Sequence, residues 1–305
     1  MGALPFRIEL PAGLATTIGT LPHLNPFDAS RFVLDLLPRL PSAPTMPVFV
    51  DTAGEIDDDT ATLHALGTFL DGLRGRVEPI LLSLTGPVTI QLRLLADGVE
   101  ADLASAISKN AVQARGQKLL DLAASRLPGA PVLLVLEEPA LNNSMHPTFP
   151  LASDQIEKLV TEVVEPMSQD AMVGVQVNGR ADWALLMRTG IGVLGAPVGA
   201  QLGSVVNELA AFLDMGGFVA WGAVPVDEPL GSSPERLWKR LSALWAELAS
   251  LGLDPLLLRE RSIITPAAGL GTFGIAQAER VLQLTAELSE RVFNQVVGAR
   301  LSIGA

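Results

Sequence analysis

The chain has 305 residues, 49% of them hydrophobic, with 33 acidic against 21 basic side chains and a formal net charge of −12. That length suits two ordinary domains or one α/β barrel, and scattered basic residues give no stripe for a phosphate backbone, which excludes nucleic acid as a partner. Cysteine is absent, which excludes disulfides, thiol nucleophiles and every Cys-based metal site; with only three histidines (His23, His64 and His146), any metal site would rest on carboxylates.

No apolar stretch runs uninterrupted to membrane-spanning length, so no membrane partner is expected. The N-terminal "MGALPFRIELPAG" lacks a charged head followed by an apolar segment, so the expectation is a cytoplasmic protein without a secretory leader.

Short, continuous apolar runs read as buried parallel strands. In chain order they are 14–19, 46–51, 79–85, 131–138, 171–177, 191–197, 217–224 and 262–267. Helical patterns separate them. "DASRFVLDLLPRL" opens on Asp28, a good N-cap. "SDQIEKLVTEVVEPM" starts at Ser153 and puts Ile156, Leu159, Val160, Val163 and Val164 on one face. "SPERLWKRLSALWAELASLG" has Ser233 as cap, Pro234 at the first helical position and Gly252 as its stop. Trp183, Trp238 and Trp245 fall in helical patterns as packing residues. The longest connection, between the third and fourth strands, has room for two helices.

Eight strand–helix repeats without a composition shift predict a single (β/α)8 TIM barrel over residues 1–305, with an extended connection between strands 3 and 4. A doubly wound open sheet is the rival, which strand counting alone does not exclude.

"IITPAAGLGTFG" (263–274) spaces Gly269, Gly271 and Gly274 as G-x-G-x-x-G. A dinucleotide fingerprint needs a further strand ending in an acid about 20 residues on. Only a helix and "RLSIGA" follow, so the Rossmann reading fails. The glycines either allow a tight turn or let backbone N–H groups approach a ligand.

Barrel sites collect at the C-terminal ends of strands. Those ends supply Thr16, Thr17, Ile18, Gly19, Thr20 and His23; Asp51 and Thr52; Thr85, Gly86 and Thr89; and Glu137 and Glu138. They also supply Gln176, Asn178, Trp221, Asp227, Glu228 and Thr265, with Gly269 and Gly271 beyond. No nucleophile–base pair is evident. A strand ending in two adjacent carboxylates sends one inward and one toward the helices. The inward one can hold a substrate ammonium or act as a general base, or it can satisfy nearby backbone N–H groups. His23 reads as a surface loop histidine, and "EIDDDT" (55–60) as acids favoured at a helix start.

Four of these segments together resemble the catalytic barrel of cobalamin-independent methionine synthase and its short relatives in the uroporphyrinogen decarboxylase-like superfamily. "TTIGTLPH" resembles that family's Ile-Gly-Ser-x-Pro turn and "LTGPVTI" its Thr-Gly-Pro-x-Thr segment. "VLEEPAL" resembles Asp-Glu-Pro-Ala-Leu, and "ITPAAGLGT" resembles Asn-Pro-Asp-Cys-Gly-Leu-x-Thr. The resemblance spans about residues 14–290.

It implies a zinc held by His, Cys, Glu and Cys. The corresponding positions here are Val175–Val177 (or Gln176–Asn178), the acid-free 195–199 and Ala268, with Ala267 in place of the aspartate beside the last cysteine. All four ligands are missing, so no zinc is expected; no cofactor is predicted, and folate is left open. What the resemblance leaves is an amino-acid subsite at Ile18, Gly19, Thr20 and Glu137.

The expected function is therefore a zinc-free, methionine-synthase-like barrel that binds a small amino-acid-like or anionic ligand at its C-terminal face, as a diverged methyltransferase. The expected contacts are Ile18, Gly19, Thr20, Thr85, Glu137, Gln176, Asn178, Trp221, Gly269 and Gly271, with Glu137 catalytic. The alternatives are a non-catalytic accessory or regulatory subunit, with a homo-oligomer or protein partner, and a metal-free decarboxylase.

Overall fold

Runs of β-branched and aliphatic residues form the strands, and the amphipathic stretches between them form the helices. The computed structural model describes residues 8–45, 59–226 and 233–303. In order these hold β1 (Leu14–Ala15), α1 (Pro26–Leu36), α2 (Asp59–Gly72), β2 (Ile80–Thr85), α3 (Pro87–Ala96) and α4 (Ala101–Arg126). Then come β3 (Val132–Glu137), α5 (Ser153–Met167), β4 (Met172–Gln176), α6 (Trp183–Arg188), β5 (Val193–Pro197) and α7 (Val206–Asp214). The last are β6 (Phe218–Val224), α8 (Pro234–Ser250), α9 (Pro255–Glu260), β7 (Ser262–Pro266) and α10 (Ile275–Ile303).

The strands make one parallel sheet in the order β1-β7-β6-β5-β4-β3-β2. From β2 to β7 each strand lies beside its successor, and β1 then pairs with β7. A doubly wound sheet reverses its strand order partway. This one does not, so it curls in one sense, as half of a barrel does. Residues 41–45 meet both edges: Leu21 N–H donates to Thr45 O (3.1 Å), Ala43 N–H to Leu81 O (2.8 Å) and Leu81 N–H to Pro41 O (3.0 Å). Of the eight expected strands, seven are shown; the one expected at 46–51 lies outside the described residues.

Strand pleating sorts the core. Leu14, Leu81, Leu133, Val135, Met172, Val193, Phe218, Ala220 and Ile263 form the concave cluster, while Leu82, Leu134, Val173, Leu194, Val219 and Ile264 meet the helices. Burial on both faces is why the strand sequences run apolar instead of alternating.

Local signals held with three corrections. α5 buries the five residues expected of it, and α8 starts at Ser233, whose Oγ accepts from Arg236 N–H (3.3 Å). Gly252, just past α8, has φ +106°, a backbone that favours glycine. α1, however, is capped by Asn25, whose Oδ1 accepts from Phe27 N–H (2.9 Å), because Pro26 starts the helix before Asp28. The first strand is two residues long instead of six, since Gly19 at φ +98° turns the chain away. α9, capped by Asp254, was not expected.

Candidate functional site at the strand C-termini

β3 ends in the two carboxylates, and the pleat sends them to opposite faces. Glu138 is fully buried on the helix side. Its Oε1 accepts from Val88 N–H (2.8 Å), and its Oε2 accepts from Thr89 N–H (2.7 Å) and the Thr89 hydroxyl (2.5 Å). These are otherwise orphaned groups of the first turn of α3, so Glu138 caps that helix from 50 residues away in sequence. Gly86 makes room, for a Cβ there would stand 2.4 Å from Glu138 Cδ. Burial pushes the Glu138 carboxyl up to about 7, against the pull of these hydrogen bonds.

Glu137 faces inward. Ser83 Oγ donates to its Oε1 (2.8 Å), and Thr45 Oγ1 lies 3.3 Å from Ser83 Oγ. Glu137 Oε2 takes no hydrogen bond from the described residues and lies against Gly19: a Cβ at Gly19 would stand 3.1 Å from Oε2 and 2.9 Å from Gly269 Cα. The glycines at 19 and 269 thus let the end of β1 and the loop after β7 close over the carboxylate. Burial raises the Glu137 carboxyl above its ordinary value, and the Ser83 hydrogen bond opposes this. Ser83 with Glu137 is a hydroxyl–carboxylate pair in which the acid can take the hydroxyl proton.

The other expected contacts divide. Thr85 and Gln176 are the register partners of Glu137 on either side. Gln176 is 5% exposed; its Nε2 donates to Asn178 Oδ1 (3.1 Å), and its Oε1 is buried without a hydrogen bond. Thr20 accepts at its carbonyl from Leu270 N–H (2.6 Å), and Gly269 and Gly271 pack on Thr20, so the glycine-rich loop serves as a close-fitting turn over β1. Ile18 belongs to the concave apolar cluster.

Trp221 is a correction. Its parity on β6 points it to the helix side, where it is fully buried, donates from Nε1 to Ser262 Oγ (2.8 Å) and lies edge-on to Trp245. It cannot touch a ligand at the mouth. His23 is buried, not a surface loop residue. Its ring packs at 4.6 Å from Phe32, and burial lowers its basicity against the opposing field of Asp28. Asp51, Thr52, Asp227 and Glu228 lie outside the described residues, as does most of "EIDDDT".

Sequence reading missed Ser83 and Thr45. The signal for Ser83 was a lone hydroxyl in an apolar strand, at the same inward parity as Thr85. Among the described residues no three His, Asp or Glu side chains gather in a way that could hold a metal ion. No helix among them is long and apolar enough to cross a membrane.

No family model matches the chain, and no curated protein matches it. Among solved structures, one from Burkholderia cenocepacia J2315, described as a candidate lyase/mutase, matches at 13% identity and a TM-score of 0.38. That match covers 99% of this chain and 86% of the other. A likeness at that level carries no argument about activity. The methionine-synthase resemblance is corrected on these findings: no family model and no curated protein supports it. Its two most specific segments, "LTGPVT" and "EEPAL", have a structural account of their own, as the two halves of the Glu138 cap on α3.

Proposed function

We propose that the protein binds a small polar molecule at the C-terminal mouth of its sheet, with Glu137 Oε2 as the principal contact. The observation that carries this is an inward carboxylate with one oxygen held by Ser83 and the other taking no hydrogen bond from the described residues. A desolvated carboxyl whose titration no charged side chain among the described residues assists is stabilised by a ligand that brings a hydrogen-bond donor or a positive group. The same carboxyl disfavours a ligand anion beside it.

The test is a thermal-shift screen with amino acids, amines, thiols, folates and phosphorylated metabolites on the wild-type protein and Glu137→Gln. A ligand at 100 times its Kd stabilises by about 2.7 kcal/mol. At least one compound should stabilise the wild type and lose that effect in the variant. If every stabilising compound acts equally on both, Glu137 is not the contact.

A second reading, an accessory subunit that uses the fold as a scaffold, rests on α10. There Phe293, Val297 and Leu301 recur at helical spacing and stay exposed. Its test is the mass in solution: a monomer that Leu301→Glu leaves unchanged removes the self-association arm.

The ring of strands is closed, in this proposal, by an eighth strand continuing 41–45 into 46–51. What supports it is the set of hydrogen bonds that 41–45 makes to β2 and, through Leu21, to the chain following β1. Slow amide exchange over 46–51 is the expected result.

A further inference from the structure

We propose that Thr45 and Ser83 form a serial hydroxyl relay that positions Glu137, fixing Oε1 and leaving Oε2 for the ligand. This rests on the reading of Glu137 as the ligand contact, and it adds two residues that no sequence signal assigned.

The geometry gives the relay a direction. A serine hydroxyl has one proton, and a carboxylate only accepts. With Ser83 donating to Glu137 (2.8 Å), the Thr45–Ser83 contact (3.3 Å) must have Thr45 as its donor. The chain therefore runs Thr45 to Ser83 to Glu137 when the carboxyl is ionised. Once Glu137 carries a proton on Oε1, both bonds can reverse. The far end is fixed, since Thr45 O accepts from Leu21 N–H (3.1 Å) and Thr45 is bridged to Thr20. Linked hydrogen bonds in a low-dielectric setting strengthen one another, so Thr45 acts on Glu137 through Ser83.

The surroundings isolate this effect. The neighbours on β2 and β4 are Thr85 and Gln176, the loops from β1 and β7 contribute Gly19 and Gly269, and Glu138 lies on the opposite face of β3. None of these inward neighbours is charged, so among the described residues the hydroxyls are the groups that tune the acid.

The experiment is a carbon-13 NMR titration of the Glu137 side-chain carboxyl in the full chain without ligand, with the signal assigned by its loss in Glu137→Gln. Ser83→Ala should move the midpoint upward, because a donor to the ionised form is gone, and Ser83→Thr should restore it. Thr45→Val should move it upward by less. In the Ser83→Ala background, Thr45→Val should add nothing, since a serial chain is already cut. An unmoved midpoint in Ser83→Ala overturns the relay, and so does an equal Thr45→Val effect in both backgrounds. If Ser83→Ala does not fold, Thr45→Val alone decides: no shift overturns the proposal, and an upward shift that Thr45→Ser abolishes upholds it. No ligand is needed, so failure of the ligand screen and failure of the relay are separate results.

Discussion

Thr89 donates twice to Glu138, through its backbone N–H at 2.7 Å and its hydroxyl at 2.5 Å, and so ties the start of α3 to the end of β3. Removing the acceptor leaves three donors without a partner in a buried place. Glu138→Ala should cost about 2–4 kcal/mol, more than a usual lost cap because the Glu138 carboxyl is fully buried. Gly86→Ala should cost about 1–3 kcal/mol by overpacking, as the new Cβ meets Glu138 Cδ at 2.4 Å. The two should not add, because the three atoms nearest the new methyl group all belong to the Glu138 side chain. Urea unfolding of the singles and the double variant measures this.

The same carboxyl gives a pH dependence with a definite sign. Its folded value of about 7 lies above its ordinary 4.5, so between these the native state keeps a proton that the unfolded chain has released. Stability from this group is therefore full below about 4.5, falls as pH rises through the window, and is lost above about 7. The ceiling is about 3 kcal/mol for a fully buried group. Glu138→Gln should be flatter than wild type in urea midpoint between pH 5 and 8, although weaker overall because one acceptor becomes a donor. A wild-type midpoint that rises across that window, with the variant parallel to it, would remove Glu138 as the cause.

Trp221 separates core from mouth. Trp221→Phe keeps an aromatic ring against Trp245 and loses the bond to Ser262, so it should cost about 1–2 kcal/mol. Trp221→Ala should cost about 3–5 kcal/mol. Any ligand that stabilises the wild type should stabilise Trp221→Phe by the same shift. Loss of that response would return Trp221 to the ligand-contacting set.

How far the sequence could be read follows from which physics is local. Strands buried on both faces write themselves as apolar runs, so β2 to β7 were found within a residue or two at most ends. Pleat alternation correctly separated Glu137 from Glu138, yet the same rule applied to β6 would have turned Trp221 outward. Nearness to a strand end does not by itself tell the two faces apart. Thr45 carries no signal until its partner is known, and the inward parity of Ser83 in an apolar strand does not name Glu137, which lies 54 residues beyond it. The two most specific segments behind the family resemblance encode a strand-to-helix junction. A glycine, a helix-starting proline and a distant capping acid are what that junction needs, whatever chemistry goes on above it.

Gly195 tests whether Gln176 belongs to the site. A Cβ at Gly195 would stand 2.0 Å from Gln176 Oε1 and 3.0 Å from Gln176 Cα, so Gly195→Ala must push the amide aside and break its bond to Asn178 (3.1 Å). Gln176 is the register partner of Glu137, so the displaced amide moves into the space beside the carboxylate. The cost to folding should be about 1–3 kcal/mol, the usual range for overpacking. Pairing it with Gln176→Ala should recover most of that stability, since the obstructing side chain is gone, while the response to a Glu137-dependent ligand stays diminished. Thermal shifts of the single and double variants, with and without that ligand, separate the two effects. A full ligand response in Gly195→Ala would mean that Gln176 only packs against β5 and that recognition lies on the Ser83 and Gly19 side of Glu137.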